Sequence, residues 1–253
     1  MPDAPGPTVL LYATDGYLHE FASEVVGVDE SSHAVALTAT AFFPTGGGQP
    51  HDTGTLHLPT APAAVTSVAK DRDGVVWHTL AEDAPLPEVG IRVDGVLDWE
   101  RRYLLMRTHT ALHVLNGVIW LDHGARVTGA HMTPGEGRLD FELPAMSQEF
   151  GRAVEVRVNE QVERDLPVRV VYLARAEADH DPSLIRLKAN LIPRSIDPLR
   201  VIDIVGLDRQ ADGGTHVASS GEIGPVRVTK VQSKGKANKR VRISLDNGQG
   251  SLG

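Results

Sequence analysis

Four side chains in this 253-residue sequence have the types and spacing to hold a metal ion: His109 and His113 in HTALH, and Asp212 and His216 in DGGTHV. On a helix that turns about 100° per residue, residues four apart project from one face, one turn from each other, which suits two ligands of one ion. Asp212 and His216 repeat the spacing, but Gly213 and Gly214 stand between them. That second segment therefore reads as a turn, where glycine allows backbone angles that a helix does not use. Three imidazoles and a carboxylate could converge on a tetrahedral ion, with zinc the first candidate. With 11 histidines in the chain, a pair at this spacing also arises by chance, so the motif needs support from its surroundings.

The elements that must position these residues fall into two halves. Residues 8 to about 95 read as short strands separated by Gly, Pro and Asp: TVLLY, HAVALTAT, GTLHL, AAVTSVAK, DGVVWHTL and GIRVDGV. Such close spacing predicts a small antiparallel barrel or sandwich over residues 1–95. AFFPTGGGQPHDTG at 41–54 interrupts the strands. A loop so rich in glycine is either a tight linker or a place where backbone approaches a ligand, and without a GK[ST] ending it is not a nucleotide P-loop.

From Asp98 the pattern changes. Asp98 reads as an N-cap and Gly124 as a stop, with a long helix between them whose apolar face includes Leu104, Leu105, Leu112, Leu115 and Ile119. Gly117 in its interior costs about 1 kcal/mol relative to Ala and weakens the case for its continuity. GRLDFEL reads as a strand, residues 146–166 as a second long helix, and PVRVVYLA and LRVIDIV as further strands joined by about 25 residues of uncertain structure. A hairpin, GPVRVTKVQ and RVRISL around SKGKANK, closes the chain. Strands mixed with two long helices, without regular βαβ alternation, give α+β for residues 96–253, and α+β with an N-terminal barrel for the whole.

Composition narrows the functional classes. Apolar residues make up 41% and charged residues 23%, as in ordinary globular proteins. The absence of cysteine removes disulfides, thiolate ligands and thiolate nucleophiles. The N-terminus lacks the pattern of a signal peptide, and no run approaches the ~18–20 apolar residues of a membrane span, so a cytoplasmic protein is expected. A net charge of −8 argues against indiscriminate coating of nucleic acid. Between Pro225 and Leu245, however, stand seven Lys or Arg and no Asp or Glu, which leaves about −15 on the rest. Such an exception marks either a solvated hairpin or a polyanion contact.

Taken in order, FFPTGGGQPHDTG, DWERR, HTALH, RLDF, GGTHVASSGEIG and KGKANKRVRI resemble the editing region of alanyl-tRNA synthetase. More closely, the sequence resembles the freestanding alanyl-tRNA editing proteins (the AlaX family) in the form that keeps a glycine-rich N-terminal domain. The match runs from about Tyr12 to Leu245. This resemblance implies a β-barrel followed by the editing domain shared with threonyl-tRNA synthetase, a mischarged tRNA(Ala) as partner, and one zinc ion per chain. The ligands it implies are His109, His113 and His216, with Asp212 where many relatives carry cysteine; carboxylate oxygen is an accepted zinc ligand. It also implies removal of serine chiefly, with glycine second, from tRNA(Ala).

Serine is larger than alanine, so a hydrolytic site that admits serine also admits alanine unless it reads the hydroxyl. A site built to hydrogen-bond that hydroxyl can reject the analogue lacking it by up to ~10⁴–10⁵. The candidates for that role and for catalysis are Thr110, Thr215 and Gln49, with Gly46, Gly47 and Gly48 closing over the aminoacyl end or contacting the acceptor stem. Lys234, Lys236, Lys239 and Arg240 are expected to meet tRNA phosphates. Two rivals stand beside this reading. A zinc peptidase would need glutamate after the first histidine, where Thr110 stands. A tRNA-binding module that has lost its metal would be consistent with aspartate in place of cysteine.

Overall fold

The computed structural model describes residues 5–186, 192–235 and 238–246. It divides into two compact units, Met1–Tyr103 and Leu104–Gly253.

The first unit holds strands β1 (Val9–Leu10), β2 (Glu20–Asp29), β3 (Ala34–Leu37), β4 (Ala39–Thr40), β5 (Gly54–His57), β6 (Pro62–Lys70), β7 (Val76–Leu80) and β8 (Arg92–Leu97). Six of them close an antiparallel barrel in the order β2-β3-β7-β6-β5-β8, while β1 and β4 form a short parallel pair. Closure leaves no edge strand to pair with another chain. Alternate residues turn inward: Val25, Val35, Leu37, Leu56, Val65, Val76, Leu80 and Val93 form one buried cluster with Phe42. The sequence reading missed β2, the longest barrel strand. Ser23 takes one of its inward positions, and a register shift between Val25 and Gly27 breaks the alternation of apolar residues. TVLLY, expected as a strand, contributes only Val9–Leu10 before a 3-10 turn at Leu11–Ala13.

A buried ion pair holds the glycine-rich loop to this barrel. Arg102 and Asp52 are both fully buried and face each other in a salt bridge. Asp52 also accepts from the Phe43 N–H at 2.6 Å, and Arg102 donates to the Gly16 carbonyl at 2.9 Å. Between Phe43 and Asp52 the chain turns tightly. Gly46 and Gln49 exchange backbone hydrogen bonds of 3.1 and 2.9 Å, and Gly47 and Gly48 between them take φ of 60° and 90°. Two successive positive φ angles are the requirement of a type I′ turn, which glycine meets without strain.

The second unit contains most of α1 (Trp99–His123), then β9 (Val127–Thr133), β10 (Glu136–Glu142), α2 (Gln148–Glu163), β11 (Val168–Leu173), a one-turn helix α3 (Arg175–Ala178), β12 (Leu199–Ile204), β13 (Asp208–Ala211), β14 (Val226–Ser233) and β15 (Asn238–Leu245). Two antiparallel sheets result, β14-β15-β10-β9 and β11-β12-β13. Helix α1 lies against the four-stranded sheet, where a Cβ on Gly137 would come within 2.8 Å of Leu112. Asp98 caps α1 by accepting from the Arg101 N–H at 3.1 Å, and Gly124 (φ 62°) ends it. As expected from the Asp98 cap and the Gly124 stop, one helix joins them, and it runs unbroken through Gly117. A Cβ there would meet Leu207 at 3.0 Å and Asp208 at 3.2 Å, so glycine lets the β12–β13 turn approach the helix. Strands β9 and β13 were not foreseen. Among the described residues no helix is long and apolar enough to cross a membrane.

Inside the barrel wall His78 is fully buried, with Nδ1 3.2 Å from the Val35 carbonyl and Nε2 2.8 Å from Thr40 Oγ1. Burial pushes its pKa down from 6.5 to about 4, against the hydrogen bond to Val35. The unfolded chain then binds a proton between those two values that the folded chain does not. The contribution of neutral His78 is fully present above about pH 6.5 and is lost as pH falls towards 4, by about 3 kcal/mol over the window. Denaturant unfolding of wild type and His78→Gln between pH 7.5 and 4.5 should show a shallower decline in the variant; parallel declines would show that His78 does not titrate in this way.

Candidate metal centre

Helix α1 supplies the first two candidate ligands. His109 and His113 lie one turn apart, with side chains about 9% exposed and ring centroids 5.2 Å apart. The segment after β13 supplies the other two. Asp212 Oδ1 accepts from the Gly214 N–H at 2.6 Å, which bends the chain back so that His216 Nε2 lies 3.1 Å from the same carboxylate. The His216 ring stacks on His109 at 4.3 Å. Arg200 fixes the turn from behind, donating Nη1 to the Asp212 carbonyl at 2.8 Å.

One potential ligand atom from each of these four residues lies within 4.8 Å of the others. Asp212 Oδ2 is 3.5 Å from His109 Nε2 and 3.8 Å from His113 Nε2. Bonds of 2.0–2.2 Å to a tetrahedral ion place its ligands about 3.3 Å apart, so the donor set fits a metal with small adjustment. The Asp212 side chain is 18% exposed, which leaves the carboxylate side of the cluster open to solvent.

The other ring nitrogens are held from behind. His113 Nδ1 lies 2.9 Å from Asp208 Oδ2. Asp208 in turn accepts from Gln210 Nε2 at 2.7 Å and pairs with Arg186 at 2.5 Å, and Gln210 accepts from Asn116 Nδ2 at 3.0 Å. The Thr110 hydroxyl donates to the Met106 carbonyl at 2.9 Å. It therefore receives the Nδ1–H of His216 at 3.2 Å, together with the Val217 N–H at 3.2 Å. Held through Nδ1 in this way, both rings turn Nε2 towards the Asp212 carboxylate, the nitrogen that metal ligation would use.

Charge in the cluster is divided unevenly. Burial lowers His109 to about 4, against the pull of Asp212, and lowers His216 strongly. Burial acts on His113 in the same direction, but hydrogen bonds to Asp208 and Asp212 outweigh it and raise the pKa to about 9. Burial would raise Asp212, yet the neighbouring histidines hold it well below the usual carboxylate range. The protonated His113 ring thus offsets the Asp212 carboxylate, and a metal ion must displace the His113 proton to use that ring.

Known proteins share both halves of this chain. Residues 199–242 match the family model described as the Threonyl and Alanyl tRNA synthetase second additional domain, a stretch that includes Asp212 and His216. Residues 14–101 match that of tRNA synthetases class II (A). The chain is similar to the alanyl-tRNA editing protein AlaX-M of Saccharolobus solfataricus, with 36% identity over 93% of this chain and 98% of that protein. The chain belongs to the AlaX family. Its likeness to the family member AlaX-M of Methanosarcina mazei is nearly the same, at 35% over 94% of this chain and 96% of that one. Alanine–tRNA ligase of Thermofilum pendens is 40% identical over 88% of this chain, but only 24% of the ligase is matched.

Of the other expected site residues, Thr110 and Thr215 lie fully buried beside the cluster, and the contacts of Thr110 make it a support for His216. Gly46, Gly47, Gly48 and buried Gln49 form the tight turn of the first unit. Lys239 is buried and donates to the Gly235 carbonyl at 2.8 Å. Arg240 grips Asp140 with two bonds of 2.6 and 2.7 Å, so neither is free to serve as an exposed hairpin charge. Lys234 is exposed, and Lys236 lies outside the described residues. The sequence reading missed Asp208, whose only cue was a polar residue on a short strand. Replacing Asp208 by Asn should weaken metal affinity by about 10–100-fold, read by competition with a chromophoric chelator; wild-type affinity would remove Asp208 from the site.

Proposed function

We propose that this chain hydrolyses the ester of mischarged tRNA(Ala), chiefly seryl-tRNA(Ala) and also glycyl-tRNA(Ala), at one zinc ion held by His109, His113, Asp212 and His216. The observation that carries the reading is the convergence of those four side chains within a chain that spans nearly the whole length of a freestanding alanyl-tRNA editing protein. The two units then correspond to a glycine-rich barrel domain and a zinc-binding editing domain. A cytoplasmic setting follows from the proposed substrate.

An aminoacyl ester is already labile, so the site needs mainly to position it and to stabilise developing negative charge. Bound zinc supplies Lewis-acid chemistry suited to both tasks. Around it, Asp208 and Thr110 hold two of the rings in register, and the open side at Asp212 gives the acceptor end its approach. Because Thr110 already has one donor and two acceptor contacts filled, reading of the serine hydroxyl is assigned to Thr215, beside His216 in the same unit. Lys234 and Lys236 remain candidates for phosphate contact.

The alternative, a tRNA-binding module without metal or hydrolysis, draws on aspartate replacing cysteine. The orientation of Asp212 towards three imidazoles favours the metal reading. Deacylation of seryl-, glycyl- and alanyl-tRNA(Ala), with and without chelator, separates them. Loss of serine at least ~100-fold faster than of alanine, abolished by the chelator, is expected from hydroxyl readout. Equal rates would overturn selective editing, and no activity with zinc present would favour the binding module. In the same protein Asp212→Ala should lose zinc on elemental analysis, whereas a full equivalent retained would show that Asp212 is not a ligand.

A further inference from the structure

The four-stranded sheet has one face packed against α1 and α2, through Leu112 over Gly137 and through Val231 against Gly151. Its opposite face carries an unexpected row. The strand registers place Lys230 of β14 beside Arg242 of β15, Arg242 beside Arg138 of β10, and Arg138 beside His131 of β9. Four basic or protonatable side chains therefore cross the full width of the sheet, about 14 Å at the usual strand spacing. Like charges directly opposite each other on a sheet are destabilising, so a row of this kind works against the fold unless something outside the chain compensates it.

Compensation within the chain is incomplete. Arg138 contacts Asp140 at 3.1 Å, but the Asp140 carboxylate is also gripped by Arg240. Lys230 and Arg242 are exposed and have no carboxylate partner among the described residues. Glu136, one row away, lies opposite Ser244. Over the row is an open depression of about 280 Å³, lined by His131, Thr133, Glu136, Arg138, Thr229 and Arg242. In a chain of net charge −8, this is a cationic strip with hydroxyls beside it, set on a rigid surface.

We propose that this strip is a docking surface for the sugar–phosphate backbone of tRNA, with Lys230 and Arg242 the principal phosphate contacts. The assignment rests on the editing function proposed above, which requires the protein to hold an RNA many times larger than the ester it cleaves. It also shifts the RNA contact from the tip of the hairpin, where the run of lysines pointed, to the open sheet face formed by its two strands. A phosphate backbone suits the site better than an acidic peptide, because the charges form a line of regular spacing without an apolar pocket among them.

The test compares wild type with the double variant K230T/R242T, and with K70T/R72Q as an equal removal of charge in the first unit. Binding of uncharged tRNA(Ala) is measured across a salt series. K230T/R242T should bind at least ~10-fold more weakly at low salt, with the slope of log K against log salt shallower by roughly 0.7–0.9 for each phosphate no longer neutralised. Its melting temperature should equal or exceed that of wild type, since threonine suits a strand and relieves like-charge repulsion. An unchanged slope, or an equal fall in K70T/R72Q, would overturn the proposal. Wild-type deacylation of seryl-tRNA(Ala), run in parallel, tests the editing reading by itself. Its failure alongside a shifted slope would leave the RNA surface standing, and the converse result would remove the surface and keep the enzyme.

Discussion

A carboxylate, Asp212, faces three imidazoles in a setting where burial penalises every charge, and the second unit is arranged to keep it there. An isolated buried carboxylate is strongly disfavoured and would ordinarily take up a proton. Here the neighbouring rings hold it ionised, while burial keeps His109 and His216 neutral. A doubly charged ion resolves this imbalance better than a proton shared among the rings, because it satisfies all four donors at once. As a ligand, the Asp212 carboxylate would bring one negative charge and a hard oxygen donor to the set.

The surrounding architecture follows from that arrangement. Two candidate ligands ride on a 25-residue helix, and two on a turn closed by the Gly214 N–H on the Asp212 carboxylate. Helix and turn belong to distant parts of the sequence, so they must be locked together. Gly117 allows the β12–β13 turn to sit against α1, and that approach brings Asp208 to His113. Thr110 does the same for His216, joining the helix backbone at Met106 to the Val217 N–H beyond β13 through one hydroxyl. Asp208 and Thr110 thereby fix two of the ring orientations on which ligation of a metal would depend.

The sequence showed some of this plainly and concealed the rest for definite reasons. His109 and His113 were readable because helical periodicity is a local property, and the Asp98 cap and Gly124 stop bounded the helix correctly. Pairing them with Asp212 and His216 required the resemblance, since no local rule joins residues a hundred positions apart. Asp208 had no such aid: its partner lies 95 residues away, and a polar residue on a short strand has no periodic signature. Gly117 was read as a cost to the helix, whereas it serves an approach that only the tertiary structure reveals. The barrel was legible as a class, but β2 was not, because polar Ser23 takes an inward position and a register shift between Val25 and Gly27 breaks its alternation. In the tail, charge was legible and its direction was not. Strand register decides which basic residues face outward, and it turns Lys239 inward while setting Arg240 on Asp140.

The coordination of the metal is the most direct test of this arrangement. X-ray absorption at the zinc edge, on protein reconstituted with one equivalent, reports the number and type of donor atoms bound to the ion. Three imidazole nitrogens and one or two oxygens at about 2.0–2.2 Å are expected. Two imidazoles or fewer, or a shell composed mainly of water oxygens, would contradict the convergence of His109, His113, Asp212 and His216 on a single ion.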